Sequence, residues 1–280
     1  MSRPAAGAVV TGAGRGLGRR IAGILVERGH QVLLTDRDGP AVRAAAAALG
    51  DAATAMTVDV RDPAQVDAAR DAILERAGRL DVWVNNAGVL ATGPAWSQEP
   101  SLRTLMIEVN AVGTINGTVA AIDAMRGRGG GHIVNIVSLA GLTAVAGEAV
   151  YAASKHAALG FSLSTLADLR AERIDDIRIS CVCPDGIWTP MLHDKLEDPA
   201  SALSFSGKLL RPDEVADAVR KVLERPRPVT AVPGWRGVLA RLADAAPALG
   251  LRAVPLMAAQ GRRTQRRLLS RRGDRDTSAG

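Results

Sequence analysis

The chain is predicted to be a single α/β domain built on a doubly wound parallel sheet, followed by a basic C-terminal extension. Two observations predict this. Short apolar runs alternate with stretches of helical periodicity from residue 8 to residue 232, and strands joined by crossover helices make a parallel sheet covered on both faces. A glycine-rich turn also joins the first apolar run to the first helical stretch, the place where such a sheet opens its ligand crevice.

The elements follow in order. Residues 8–11 form a short apolar strand that ends in the glycines. Periodicity over 17–28 puts Ile21, Ile24 and Leu25 on one helical face, and Gly29 closes that helix. A strand over 31–35 leads to an alanine-rich helix over 40–49. A third strand over 53–58 leads to a helix over 63–77 with Pro63 in its first turn. The fourth strand spans 81–85. A long helix is expected over 101–125, with Ser101 as its cap. Strand, helix and strand recur over 132–138, 150–172 and 177–183. Residues 186–210 are irregular and read as a lid or substrate loop. Pro-Asp-Glu at 212–214 opens a helix to 224, and 229–232 is the last strand.

Composition excludes some classes of function. Aromatics are 2% of the chain against 47% hydrophobic residues, so Ala, Val, Leu and Ile must fill the core. A nucleic-acid surface of the aromatic-platform kind is excluded, and no nucleic-acid partner is expected. The net charge of +6 is uneven: residues 225–280 hold 12 Arg and 3 acidic residues, while the remainder holds 23 Lys and Arg against 26 Asp and Glu. Cys181 and Cys183 lie two apart on one strand, where they cannot pair with each other. With no His beside them they read as small buried hydrophobes, not metal ligands. No metal is expected, and the setting is expected to be cytoplasmic. The N-terminus lacks a signal-peptide layout, and no apolar run is expected to span a bilayer.

The glycine turn reads Thr11-Gly12-Ala13-Gly14-Arg15-Gly16-Leu17-Gly18. Gly12 permits a tight turn, Gly16 lets the backbone approach a pyrophosphate, and Gly18 lets the helix pack close to the sheet, as in a Rossmann-type dinucleotide site. The helix that opens at Leu17 offers unpaired N–H groups to an anion. The spacing is G-x-x-x-G-x-G, not the commoner G-x-G-x-x-G. Asp36 ends the second strand, where a carboxylate accepts hydrogen bonds from ribose hydroxyls and favours NAD. Arg15 and Arg37 suit a 2′-phosphate and keep NADP open.

The chain has one tyrosine, Tyr151, and Lys155 follows four residues later on the same helical face. A tyrosine is a poor base near neutrality, and a neighbouring ammonium is expected to lower its pKa so that it can exchange a proton with a substrate hydroxyl. Ser138 ends the fifth strand and faces the same crevice, where its hydroxyl can hold the substrate oxygen.

With the glycine motif at 11–18, Asp59-Val60, Asn85-Asn86-Ala87-Gly88, Asn110, Ser138 and Tyr151-x-x-x-Lys155 in this order, the chain closely resembles the short-chain dehydrogenase/reductase family from about residue 8 to residue 232. The resemblance implies Tyr151 as acid/base and Ser138 as the hydroxyl that orients the substrate. It implies Lys155 as the group that binds the nicotinamide ribose and lowers the Tyr151 pKa, and Asn110 as the holder of a water in the proton relay. Asp59 and Val60 would lie beside the adenine, and Asn86, Ala87 and Gly88 beside the adenosine ribose. Pro184 and Thr189 match the family's nicotinamide segment, but Asp185 stands where it has Gly, with Gly186 following. The implied activity is hydride transfer between NAD or NADP and a secondary alcohol or ketone. The alternative is a dinucleotide-binding scaffold without turnover, which would be expected to lose Tyr151 or Lys155.

Ile187, Trp188, Met191, Leu192, Leu196, Leu203 and Phe205 in the 187–207 loop suit either a lipophilic substrate or ordinary packing. The catalytic and dinucleotide-binding domain is placed at 1–234 and the extension at 235–280. In the extension, Val238, Leu239, Leu242 and Ala246 share a helical face. The apolar stretch 249–257 is broken by Arg252 and Pro255, and Arg262, Arg263, Arg266, Arg267, Arg271 and Arg272 follow. Three readings stay open: a peripheral membrane contact, a cover over a substrate or subunit entrance, and a packed helix with a disordered end over 268–280. The resemblance implies a homodimer or homotetramer through the helices at 101–125 and 150–172, where Ala152, Ala153, Ala157, Ala158 and Gly160 allow close approach.

Overall fold

The computed structural model describes residues 6–277, with side chains for 6–270. The strands are β1 (Gly7–Thr11), β2 (Gln31–Asp36), β3 (Ala53–Thr57), β4 (Leu80–Asn85), β5 (Gly131–Ile136), β6 (Ile177–Pro184) and β7 (Val229–Val232). All pair in parallel, in the order β3-β2-β1-β4-β5-β6-β7. The strand order reverses between β1 and β4, and such a switch point opens a crevice at the C-terminal ends of the strands.

The helices are α1 (Gly16–Glu27), α2 (Gly39–Ala47), α3 (Pro63–Ala77), α4 (Pro100–Ile107), α5 (Gly113–Met125), α6 (Ala149–Ala171), α7 (Pro190–His193), α8 (Pro212–Glu224), α9 (Gly234–Ala245) and α10 (Pro247–Thr277). One face of the sheet packs on α1, α2 and α8 through Ile21, Leu25, Val42, Val215 and Val219. The other packs on α3, α5 and α6 through Ile73, Met125, Leu166 and Leu169. Apolar side chains on both faces of every central strand explain the short continuous apolar runs in the sequence.

A buried polar network fixes the middle of the second layer. Asn85 Nδ2 donates to Thr118 Oγ1 at 3.1 Å and to Asn135 Oδ1 at 2.8 Å, and Asn135 Nδ2 donates to Ser162 Oγ at 2.7 Å. Thus β4, β5, α5 and α6 are held in one register, and each buried amide has partners.

Several expectations need correction. The helix expected over 101–125 is two helices joined by a π turn at Glu108–Val112. Ser101 is not its cap: Pro100 takes the first helical position and Glu99 the cap, without a side-chain hydrogen bond, because proline fits where no N–H partner is needed. By length and composition Pro100–Met125 could cross a bilayer, contrary to the expectation that no run would, but 56% of its most apolar window is buried inside the protein. Pro255 lies inside α10, which continues past it. The helix also enters the 268–280 segment expected to be disordered. Residues 278–280, and the side chains of Arg271 and Arg272, lie outside the described residues.

Candidate active site

The C-terminal ends of the strands open into a cavity of about 1040 Å³, enough for a dinucleotide with space beside it. It is lined by Gly12, Arg15, Gly16, Leu17, Gly18, Asp36, Arg37, Asp59, Val60, Asn86, Ala87, Gly88, Ser138, Tyr151, Lys155, Pro184, Gly186 and Thr189. The one predicted site residue not on its wall, Asn110, stands directly behind it.

The glycine turn has the strain that only glycine tolerates. Gly12 has φ +63° and Gly16 φ +57°, in the left-handed region. A Cβ on Gly12 would lie 2.7 Å from Ala87 Cα, and one on Gly18 would lie 2.3 Å from Gly12 O. Asn86 holds the turn: its Nδ2 donates to Thr11 O and Gly12 O, both at 2.9 Å. The cap of α1, Arg15, makes no side-chain hydrogen bond, so the first N–H groups of the helix stay available to an anion.

At the end of β2, Asp36 accepts from Gly14 N at 3.0 Å through Oδ2 and from Asp38 N at 3.0 Å through Oδ1. The carboxylate is thereby fixed at the cavity wall, with Arg15 and Arg37 exposed on either side. Asp59 is turned onto Arg61, whose guanidinium holds the Asp59 carboxyl below its usual range. Arg61 also reaches Glu108, at 3.2 Å. Across the cavity, Thr189 Cγ2 would sit 3.8 Å from a Cβ on Gly16. The glycine turn therefore faces the segment after β6. These features fit a dinucleotide: a donor-rich turn for phosphates, a carboxylate for a ribose, and a cleft between them.

The reacting end is built on α6 and the end of β5. Lys155 is only 4% exposed, and its Nζ donates to Ile136 O at 3.0 Å. Burial pushes its pKa down to about 8, so it remains mostly charged at neutral pH, with further N–H donors beyond the one spent on β5. The Nζ lies 5.8 Å from the centroid of the Tyr151 ring. Tyr151 departs from expectation. Its pKa is raised above the ordinary value of 10, first by burial and then by the Glu148 charge, and only the Ser138 hydroxyl opposes the rise. Ser138 also accepts from Ala140 N at 3.1 Å, which fixes its hydroxyl at the strand end.

Asn110 lies in the π turn and is fully buried. Its Oδ1 accepts from Val89 N at 2.8 Å, and its Nδ2 donates to Val89 O at 2.9 Å and to Ser154 Oγ at 3.0 Å. The side chain clamps the strand-end segment 86–89 against α6. A Cβ on Gly88 would lie 3.2 Å from Asn110 Oδ1 and 3.7 Å from Lys155 Nζ, so this clamp adjoins the lysine.

Two features escaped the sequence reading. Glu148, three residues before Tyr151, is 2% exposed and lines the cavity; an acid just before the helix that carries the tyrosine was a signal that could have found it. The second is the ion pair that docks the tail. Arg236 of α9 pairs with Asp185 at 2.8 Å, which gives the unusual carboxylate a partner. The Asp185 backbone stays in line, its N–H donating to Val232 O at 2.8 Å. Leu239, Leu242, Leu249, Leu251, Val254 and Met257 of α9 and α10 then wall the cavity. Of the loop residues, Ile187, Met191, Leu192 and Leu203 line it, whereas Leu196 and Phe205 pack in a separate cluster with Trp188, Leu268 and Leu269.

A model of the family described as short chain dehydrogenase matches residues 6–200. Oxidoreductase UcpA of Escherichia coli (strain K12) is 34% identical over 219 residues, covering 75% of this chain and 82% of that protein. The 1-deoxy-11-beta-hydroxypentalenate dehydrogenase of Streptomyces exfoliatus is 36% identical over 192 residues, covering 66% of this chain and 69% of its own. Among solved structures, a short chain dehydrogenase/reductase from Burkholderia phymatum in complex with NAD superimposes with a TM-score of 0.79 at 28% identity, over 88% of this chain and 95% of that one. Sequence motifs, strand order and relatives agree, and the chain belongs to the short-chain dehydrogenase/reductase family.

Proposed function

We propose that this oxidoreductase moves a hydride between a nicotinamide dinucleotide, NAD in preference to NADP, and a secondary alcohol or ketone of apolar character. The observation that carries the reading is the meeting of Tyr151, Ser138 and Lys155 with the glycine turn in one cavity. A nicotinamide dinucleotide bound there supplies the hydride acceptor or donor and, when oxidised, a positive charge that favours the phenolate. Ser138 holds the substrate oxygen. Tyr151 exchanges the proton of that oxygen: in reduction its O–H bond breaks as the ketone oxygen gains the proton, and in oxidation the alcohol O–H breaks toward the phenolate. The raised pKa keeps the phenol protonated at neutral pH, the state required of an acid in the reductive direction. Lys155 offers its remaining donors to ribose hydroxyls.

Asp36 supports NAD, because a fixed carboxylate facing a 2′-phosphate is repulsive. The leucines of α9 and α10 line the cavity, which supports, of the three readings of the tail, the cover over the substrate entrance, and supports an apolar substrate. Turnover of secondary alcohols and ketones with each dinucleotide tests the proposal. Tyr151→Phe is expected to lower kcat by about 10²–10⁴-fold with cofactor affinity retained, and Lys155→Ala to impair both. A strong preference for NADP would overturn the choice of cofactor; full activity of Tyr151→Phe would overturn the acid/base role.

A further inference from the structure

We propose that Glu148 is a specificity residue that selects substrates carrying a protonated amine beside the reacting carbon, so that the substrate class is an apolar amino alcohol or amino ketone. The inference rests on the reading of Tyr151 given above and extends it to the other end of the substrate.

Glu148 directly precedes α6, three residues before Tyr151, and lies near enough for its charge to act on the Tyr151 phenol. Its Oε1 accepts from the Ser204 hydroxyl. Its Oε2 has no hydrogen-bond partner among the described residues, yet it is not among the sealed, unpartnered polar atoms. That oxygen therefore opens onto the cavity, which Glu148 lines. No Lys or Arg of the described residues pairs with it, in contrast to Asp185 and Asp59, each of which has its own arginine.

A carboxylate taken out of water without a cation is costly, and this one lies within the field of two further acids, Asp185 and Asp198. Elsewhere the cavity wall also carries Asp194 and Asp244 against Lys195 and Arg236, and Arg236 is already paired. Apolar side chains such as Val145, Leu203, Leu239 and Val254 also line the cavity. A neutral hydroxyl would satisfy one oxygen, but only a cation offsets the charge. Burial holds the carboxyl near neutrality, at about 7, so uptake of an ammonium is accompanied by release of a proton to solvent.

The experiment compares 1-benzylpiperidin-4-ol with its carbon isostere, 4-benzylcyclohexanol, in two arms. Turnover by the full-length protein is expected to show kcat/KM at least about tenfold higher for the amine. That ratio should collapse toward one in Glu148→Gln and return in part in Glu148→Asp. Calorimetric binding of both compounds to Tyr151→Phe protein with its dinucleotide is expected to show the same preference without turnover, and proton release on binding the amine alone. A ratio near one in the native protein, or one unchanged by Glu148→Gln, overturns the inference while leaving hydride transfer intact. Absence of turnover with both compounds counts against the hydride-transfer reading alone, and the binding arm then decides the role of Glu148.

Discussion

Glu148 at the N-cap of α6, and Tyr151 and Lys155 in its first turns, are all moved by burial away from their charged forms: the two acids upward and the amine downward. Spacing in the sequence placed Tyr151 and Lys155 on one face but could not say how deeply that face would be buried, and depth decides the sign of the tyrosine shift. Glu148 makes the consequence measurable. Its carboxyl ionises near 4.5 in the unfolded chain and at about 7 in the fold. Between those values the folded protein keeps a proton that the unfolded chain has lost, so stability falls as pH rises through that window. The accumulated penalty is on the order of 3 kcal/mol above pH 7. Denaturant melts are expected to show Glu148→Gln gaining on the native protein from pH 4.5 to pH 7; a stability difference independent of pH would contradict the shift.

At the level of elements, most boundaries followed from local rules, and the failures share a cause. Pro63–Ala77, capped by Asp62, and Pro212–Glu224, with Asp213 and Glu214 in its first turn, start and stop where proline, acidic residues and periodicity put them. The π turn at Asn110 was not legible, because an extra residue in a helix leaves no mark on composition; it is stabilised by the clamp on Val89 and Ser154. The α9 helix was legible as amphipathic, but not its docking site. Gly237 lets it approach β7, where a Cβ would meet Ala231 Cβ at 2.2 Å, and Arg236 anchors it on Asp185 with side-chain exposures of 15% and 9%. Removing one partner of so enclosed a pair strands the other charge, at a cost of roughly 3 kcal/mol. Arg236→Ala is expected to lose stability and raise KM for apolar alcohols, and adding Asp185→Ala to restore part of both. Strictly additive effects in the double-mutant cycle would show that the pair does not anchor the helix.

For the whole molecule, the sheet order brings the ends of β1, β2, β4, β5 and β6 to one cavity and leaves the outer faces of α4, α5 and α6 facing solvent. Ile107, Val119 and Leu163 are exposed there, beside Ala153, Ala157 and Gly160. Ala152 and Ala158, expected to join that face, are buried within the chain's own fold because they lie on the opposite side of α6. We propose that this apolar, small-residue surface pairs two copies. Light scattering at micromolar concentration is expected to give a dimer or tetramer mass, and Ala157→Arg a lower one. A monomer mass for the native protein would refute the pairing.

The sequence by itself determined what depends on neighbours in the chain: the alternation of strand and helix, the glycine turn with its positive φ angles, and the shared face of Tyr151 and Lys155. Tertiary structure alone decided what depends on packing between distant segments. It set the depth of the cavity, the direction of the Tyr151 shift, the arginine that answers Asp185, and the wall that α9 and α10 build beside the reacting groups. The physical reason is that periodicity and turn chemistry act over a few residues, whereas desolvation and charge pairing depend on which elements meet, and the chain shows that only when folded.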